Sequence, residues 1–172
     1  AGSPPGAIRA ILDRSSWPLD RVYFAPEDAI EAVHHPTLPG EPPMSTPIRV
    51  VHYINQFFGG IGGEEQAHVG LSVRRELVGP GRALQAALGD SAQIVGTLIC
   101  GDNRVAENEA AAAAAIAAEI STLAPQLLVA GPAFGSGRYG LACALACRAA
   151  GTVGVPALTA MHPDNPGVEA NR

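Results

Sequence analysis

The sequence predicts an α/β fold: a three-layer, doubly wound, mainly parallel sheet preceded by an irregular proline-rich N-terminal arm. Two observations carry that expectation. From residue 48 onward, short β-branched apolar segments alternate with segments of helical character, an order that builds parallel sheets with right-handed crossovers. The 172 residues are 47% hydrophobic and 16% charged, enough apolar surface for one real core.

Residues 1–43 read as an arm or linker. They hold eight of the 15 prolines, and the single helical signal is 26–33, with proline and acids at its start. A docking arm for another subunit is the functional alternative. Residues 44–172 read as the α/β domain. Ile48 to Ile54 is β-branched and aromatic, hence strand-like. Arg82 to Leu88 reads as a short helix closed by Gly89. Ala92 to Ile99 is the second strand. Residues 106–122 form an alanine-rich helix, alanine being the best helix former, with Ile116, Ile120 and Leu123 on one stripe. Gln126 to Ala130 is apolar throughout, as a buried parallel strand is. Arg138 to Ala150 is the third helix, ended by Gly151. Val153 to Ala160 is a fourth strand in spite of Pro156. Strands and helices in this order suggest a Rossmann- or flavodoxin-like arrangement.

Composition excludes several functions. All 11 cations are arginine, so neither a lysine Schiff base nor a P-loop lysine is available in this chain. A net charge of −5 with dispersed arginines argues against a nucleic-acid surface. No run of roughly 18 apolar residues suggests a membrane span, and no secretory signal is evident. Three cysteines, Cys100, Cys143 and Cys147, fit reduced thiols and a cytoplasmic location better than a disulfide scaffold.

In open parallel sheets, ligands bind beyond the carboxyl ends of the strands, and every unusual cluster here falls there. The first strand is followed by Asn55, Gln56 and a loop with Gly59-Gly60 and Gly62-Gly63, then Glu64-Glu65. The second is followed by Cys100-Gly101-Asp102-Asn103 and the third by Phe134 through Gly137-Arg138-Tyr139. The fourth is followed by His162-Pro163-Asp164-Asn165. Four such loops are expected to converge on one crevice. Paired glycines such as Gly62 and Gly63 permit close approach of a ligand and can form an anion-holding nest. Glu64 and Glu65 would repel a phosphate there and suit a cation, a metal or a protein partner, or are simply solvated carboxylates on a tight turn. Arg138 at a helix N-terminus suits a carboxylate; the competing reading pairs it with Asp102 or Glu64 to hold the loops. Cys100 is a candidate nucleophile or redox thiol, or a packed, inert one, since Asp102 would raise its pKa. His52, His68 and His162 show no recognised ligand spacing with Cys100, so no metal is expected. Cys143 and Cys147, four apart, read as helix packing.

The stretch Arg49–Glu65, with Val78-Gly79-Pro80-Gly81, Thr97–Asn103, Ala130–Phe134, Gly137–Cys143 and Met161–Val168 in order, resembles the opening portion of the glycine/sarcosine/betaine reductase protein B family. The resemblance covers about residues 48–169. It implies reductive cleavage of a C–N or other carbon–heteroatom bond in a small glycine-like substrate, within a thiol-dependent complex of several subunits. It implies a pyruvoyl group on a partner subunit that anchors the substrate amine, and a selenocysteine or cysteine in a later segment of protein B. No cofactor is expected in this chain itself. Within that frame the expected substrate-side residues are Asn55, Gln56, Gly62, Gly63, Glu64, Asp102, Asn103, Phe134, Arg138, Tyr139 and Asn165. Cys100 is the expected crevice thiol and His162 the proton carrier. A non-catalytic binding and assembly subunit, and a cysteine-dependent lyase or hydrolase on the same fold, are the alternatives.

Overall fold

In the computed structural model, the described residues are 23–25, 46–135 and 137–170. Six strands form one sheet: β1 (Tyr23–Ala25), β2 (Ile48–Asn55), β3 (Ser72–Arg74), β4 (Ala92–Cys100), β5 (Leu127–Ala133) and β6 (Ala157–Met161), in the order β1-β6-β5-β2-β4-β3. The helices are α1 (Gly81–Leu88), α2 (Asp102–Glu107), α3 (Glu109–Leu123), α4 (Tyr139–Thr152) and α5 (Pro166–Glu169). β2 pairs in parallel with β4 and β5, and β5 with β6. β3 runs antiparallel to β4 at the edge, which makes the sheet mixed.

Alternation along the strands sends side chains to two faces. Val51, Tyr53 and Leu98 join Ile116 and Ile120 of α3 and most of α4 in one buried cluster. Val50, Ile94 and Val129 pack on the other face against Leu84 and Leu88 of α1. Helices therefore cover both faces. α4 is buried almost all round, and its small residues (alanine, glycine and cysteine) let it sit close to β5, β6 and α3.

Four strands and three helices fall where the pattern put them; several details differ. The helix expected over 106–122 is interrupted at Asn108, whose side chain accepts from Ala111 N at 3.1 Å and so caps α3. Residues 106 and 107 belong to α2 instead. The fourth strand begins at Ala157, not Val153, because Gly154 takes φ +74° and Pro156 has no N–H to give a ladder. β3 escaped the periodicity because three residues are too few to show alternation. β1, within residues 1–43, pairs Tyr23–Ala25 with Leu158–Ala160 of β6, so these three residues belong to the sheet and not to a separate linker. The helical signal at 26–33 lies outside the described residues. No helix among them is long and apolar enough to cross a membrane.

Candidate functional site

β2 lies between β4 and β5, so the crossovers leaving β2 and β4 depart to opposite sides of it. Crevices open at such points, outside the carboxyl ends of the strands. Here an open cleft of about 610 Å³ is lined from the ends of β2, β4 and β5 and from the N-termini of α4 and α5.

The polar floor is built by two adjacent residues at the carboxyl end of β2. Asn55 Nδ2 donates to Asp102 Oδ2 at 2.8 Å, and Asn55 Oδ1 accepts from Phe58 N at 3.0 Å. Gln56 Oε1 accepts from Asp102 N at 3.2 Å. Both side chains are buried, so these bonds fix the first loop to the start of α2. A second anchor is Gly79, where φ is +52° and any Cβ would stand 2.2 Å from Phe58 O; only glycine allows that approach. Burial pushes the Asp102 carboxyl above its ordinary value, and Glu64 adds to that, against the opposing effects of the Asn55 bond and the Arg138 charge. Its Oδ1 is buried with no hydrogen-bond partner.

Arg138 stands as N-cap of α4 and forms an ion pair with Glu64 across the cleft. Both side chains are substantially exposed. The loop-holding alternative for this arginine is thus realised in the free chain, and the same guanidinium still faces the cleft. Tyr139, one residue on, is buried with an unpartnered hydroxyl, and burial holds its pKa well above the ordinary value.

Of the residues singled out from sequence, Asn55, Gln56, Gly63, Glu64, Asp102, Phe134, Arg138 and Tyr139 line this cleft. The others do not. Gly62 lies behind the loop against Gln66. The Gly63 N–H that a nest would offer to an anion is taken by Glu65 Oε1 at 2.8 Å. Asn103 turns to His68 Nε2 at 3.1 Å, and His68 in turn to Glu107 at 3.2 Å. Asn165 is buried beneath the site, donating to Phe134 O and accepting from Gly167 N at 2.8 Å. It is a brace between the third and fourth loops. His162 packs beside Gly135 on the same edge, and its Nδ1 accepts from Asp164 N at 3.2 Å. Cys100 is 1% exposed and points into the core, where burial raises its thiol pKa. Cys143 and Cys147 are buried in α4, Cys147 being pushed up to about 12. Among the described residues no three His, Cys, Asp or Glu side chains gather as a metal site.

Phe57, Phe58, Leu141 and Pro166 also line the cleft and were not singled out. Phe57 is largely exposed in its glycine-rich loop, whereas Phe58 is half-buried and packs against the core.

The family described as glycine/sarcosine/betaine reductase selenoprotein B matches residues 47–172. A glycine reductase complex component B subunit gamma from Symbiobacterium thermophilum is 55% identical over 126 residues, 73% of this chain and 29% of that protein. A sarcosine reductase complex component B subunit beta from Peptoclostridium acidaminophilum is 48% identical over the same shares. A betaine reductase complex component B subunit beta from the same organism is 36% identical over 70% of this chain and 28% of its own length. The chain thus spans less than a third of the length of these relatives. No solved structure matches it. The cleft is built from the very segments that carry the likeness, and the chain belongs to the glycine/sarcosine/betaine reductase selenoprotein B family.

Proposed function

We propose that this chain forms one wall of the substrate cleft in a thiol-dependent reductase complex that cleaves a C–N or other carbon–heteroatom bond of a small glycine-like substrate. The observation that carries the reading is the convergence of Asn55, Asp102 and Arg138, from three separate strand ends, on one cleft. Arg138 holds the substrate carboxylate by exchanging its exposed partner Glu64 for it, a swap between two carboxylates of similar geometry. Asn55 and Gln56 keep the floor rigid, so that little ordering is left to be done on binding.

The burial of Cys100, Cys143 and Cys147 favours a division of labour. This chain binds and orients, and the attacking thiol or selenol belongs to a segment or chain outside residues 1–172. Only the thiolate is nucleophilic, and burial disfavours it at all three positions. In this reading the partners are the remaining segment of protein B and a pyruvoyl-bearing subunit, as the family resemblance implies, in a cytoplasmic hetero-oligomer. His162, the expected proton carrier, packs beside Gly135 and is not among the residues that line the cleft.

The test is reconstitution. The complex assembled with and without this chain is supplied with a dithiol and with glycine, sarcosine or betaine, and amine release is followed. Release that requires the chain supports the proposal; equal release without it contradicts it.

A further inference from the structure

We propose that Phe57, Phe134 and Leu141, the apolar rim of the cleft, form a docking surface, and that its occupant is the part of protein B that residues 1–172 do not contain. This rests on the reading above for the existence of that further part, and not for any chemistry in the cleft.

The described residues leave four large apolar side chains exposed: Phe57 at 63%, Phe134 at 61%, Leu141 at 40% and Val153 at 38%. Single exposures of this kind are ordinary, but three of the four line one cleft. They come from separate places: the loop after β2, the loop after β5 and the first turn of α4. Phe58 joins them into one surface. Its ring centroid lies 5.5 Å from that of Phe57 and 6.0 Å from that of Phe134, and the ring packs against the core. The patch is thus held from below before anything meets it. Grouped exposed apolar surface marks contact with another body. Aromatic side chains at the centre and charged ones at the edge are the anatomy of such contacts, and the edge here carries the exposed pair of Arg138 and Glu64.

Length points to the occupant. The 126 matched residues make up 29% of the glycine reductase relative, so more than two thirds of such a chain lies elsewhere. A body of that size in the same protein meets this surface at high effective concentration, and contacts between domains of one chain are built like other protein interfaces. A second copy fits worse. A two-fold contact buries the same patch against itself, and a hollow does not complement a hollow. A lipid surface also fits worse, since Glu64 and Asp102 share the cleft with the rings and repel anionic headgroups.

The experiment is hydroxyl-radical footprinting of the 172-residue chain, free and within the assembled complex, read residue by residue by mass spectrometry. Oxidation of Phe57 and Phe134 is expected to fall by about fivefold or more in the complex. A benzophenone amino acid at position 57 then identifies the occupant, and its cross-links are expected on protein B outside these 172 residues. Equal oxidation of both rings in the two states overturns the inference. Cross-links that end on a second copy of this chain, or on another subunit, overturn it as well. The two readings fail separately. Protected rings in a complex that releases amine equally well without this chain refute only the substrate wall. A chain that turnover requires, with both rings as reactive as in the free state, refutes only the docking surface.

Discussion

The side-chain amide of Asn55 donates to the carboxylate of Asp102 at 2.8 Å, joining the last residue of β2 to the first of α2 across 47 positions of sequence. This bond sets where the second carboxylate of the cleft stands, because Asp102 Oδ1 has no other partner. Most of what can be tested follows from how that carboxyl and the braces around it are held.

Asp102 makes stability depend on pH with a definite sign. Its pKa is raised in the folded chain by burial, so the folded state holds this proton more tightly than the unfolded state. Its contribution is fully present below the ordinary carboxyl value, and it declines as pH rises through the raised one. Asp102→Asn removes that decline. Urea unfolding is expected to show the variant gaining on the natural chain between about pH 4 and about pH 7. A difference that is the same at both ends would show that the carboxyl is not desolvated.

Asn165 joins two loops from a buried position, and Gly140 makes room for it. A Cβ on residue 140 would fall 1.8 Å from Asn165 Oδ1. Asn165→Ala removes the two side-chain bonds, to Gly167 N and to Phe134 O, from a buried position, which costs on the order of 2 kcal/mol. Gly140→Ala is expected to destabilise at least as much, since it evicts the same side chain. Denaturant midpoints check both; a Gly140→Ala chain as stable as the parent would mean that the brace is dispensable.

The three thiols should be slow to alkylate. Burial raises the pKa of Cys100, Cys143 and Cys147, so little thiolate is present or reachable near neutral pH. Mass spectrometry after iodoacetamide is expected to find all three unmodified in the native chain and all three modified in urea. Rapid native labelling of Cys100 would restore it as a candidate nucleophile in this chain.

The sheet was legible because β2, β4 and β5 are long apolar runs separated by glycine and proline signals, and such runs survive any tertiary context. The meeting of the loops was legible for the same reason: strand ends can be read, and a parallel sheet puts them on one edge. What could not be read was direction. Asn103 and Asn55 look alike in sequence, yet Asn103 turns outward to His68 while Asn55 turns inward to Asp102. Cys100 ends its strand beside the cleft, but alternation points it into the core. Asn165 was read as a ligand contact and is a brace, because a buried amide satisfies backbone groups as readily as it does a substrate. Phe57 was passed over since aromatic residues count first as core, and only its exposure shows otherwise; Phe58 does pack against the core and lines the cleft as well.

The Arg138–Glu64 pair separates structure from function. Both side chains are largely open to water, and exposed pairs of this kind contribute less than about 1 kcal/mol. Arg138→Ala is therefore expected to leave the thermal melt of the chain nearly unchanged.

The most direct test is the steady-state turnover of the assembled complex carrying Arg138→Ala, with Arg138→Lys beside it. If Arg138 holds the substrate carboxylate, the alanine variant raises KM by about tenfold or more, and lysine restores part of it. Unchanged kcat and KM in a complex that contains the variant chain would contradict the account at its centre.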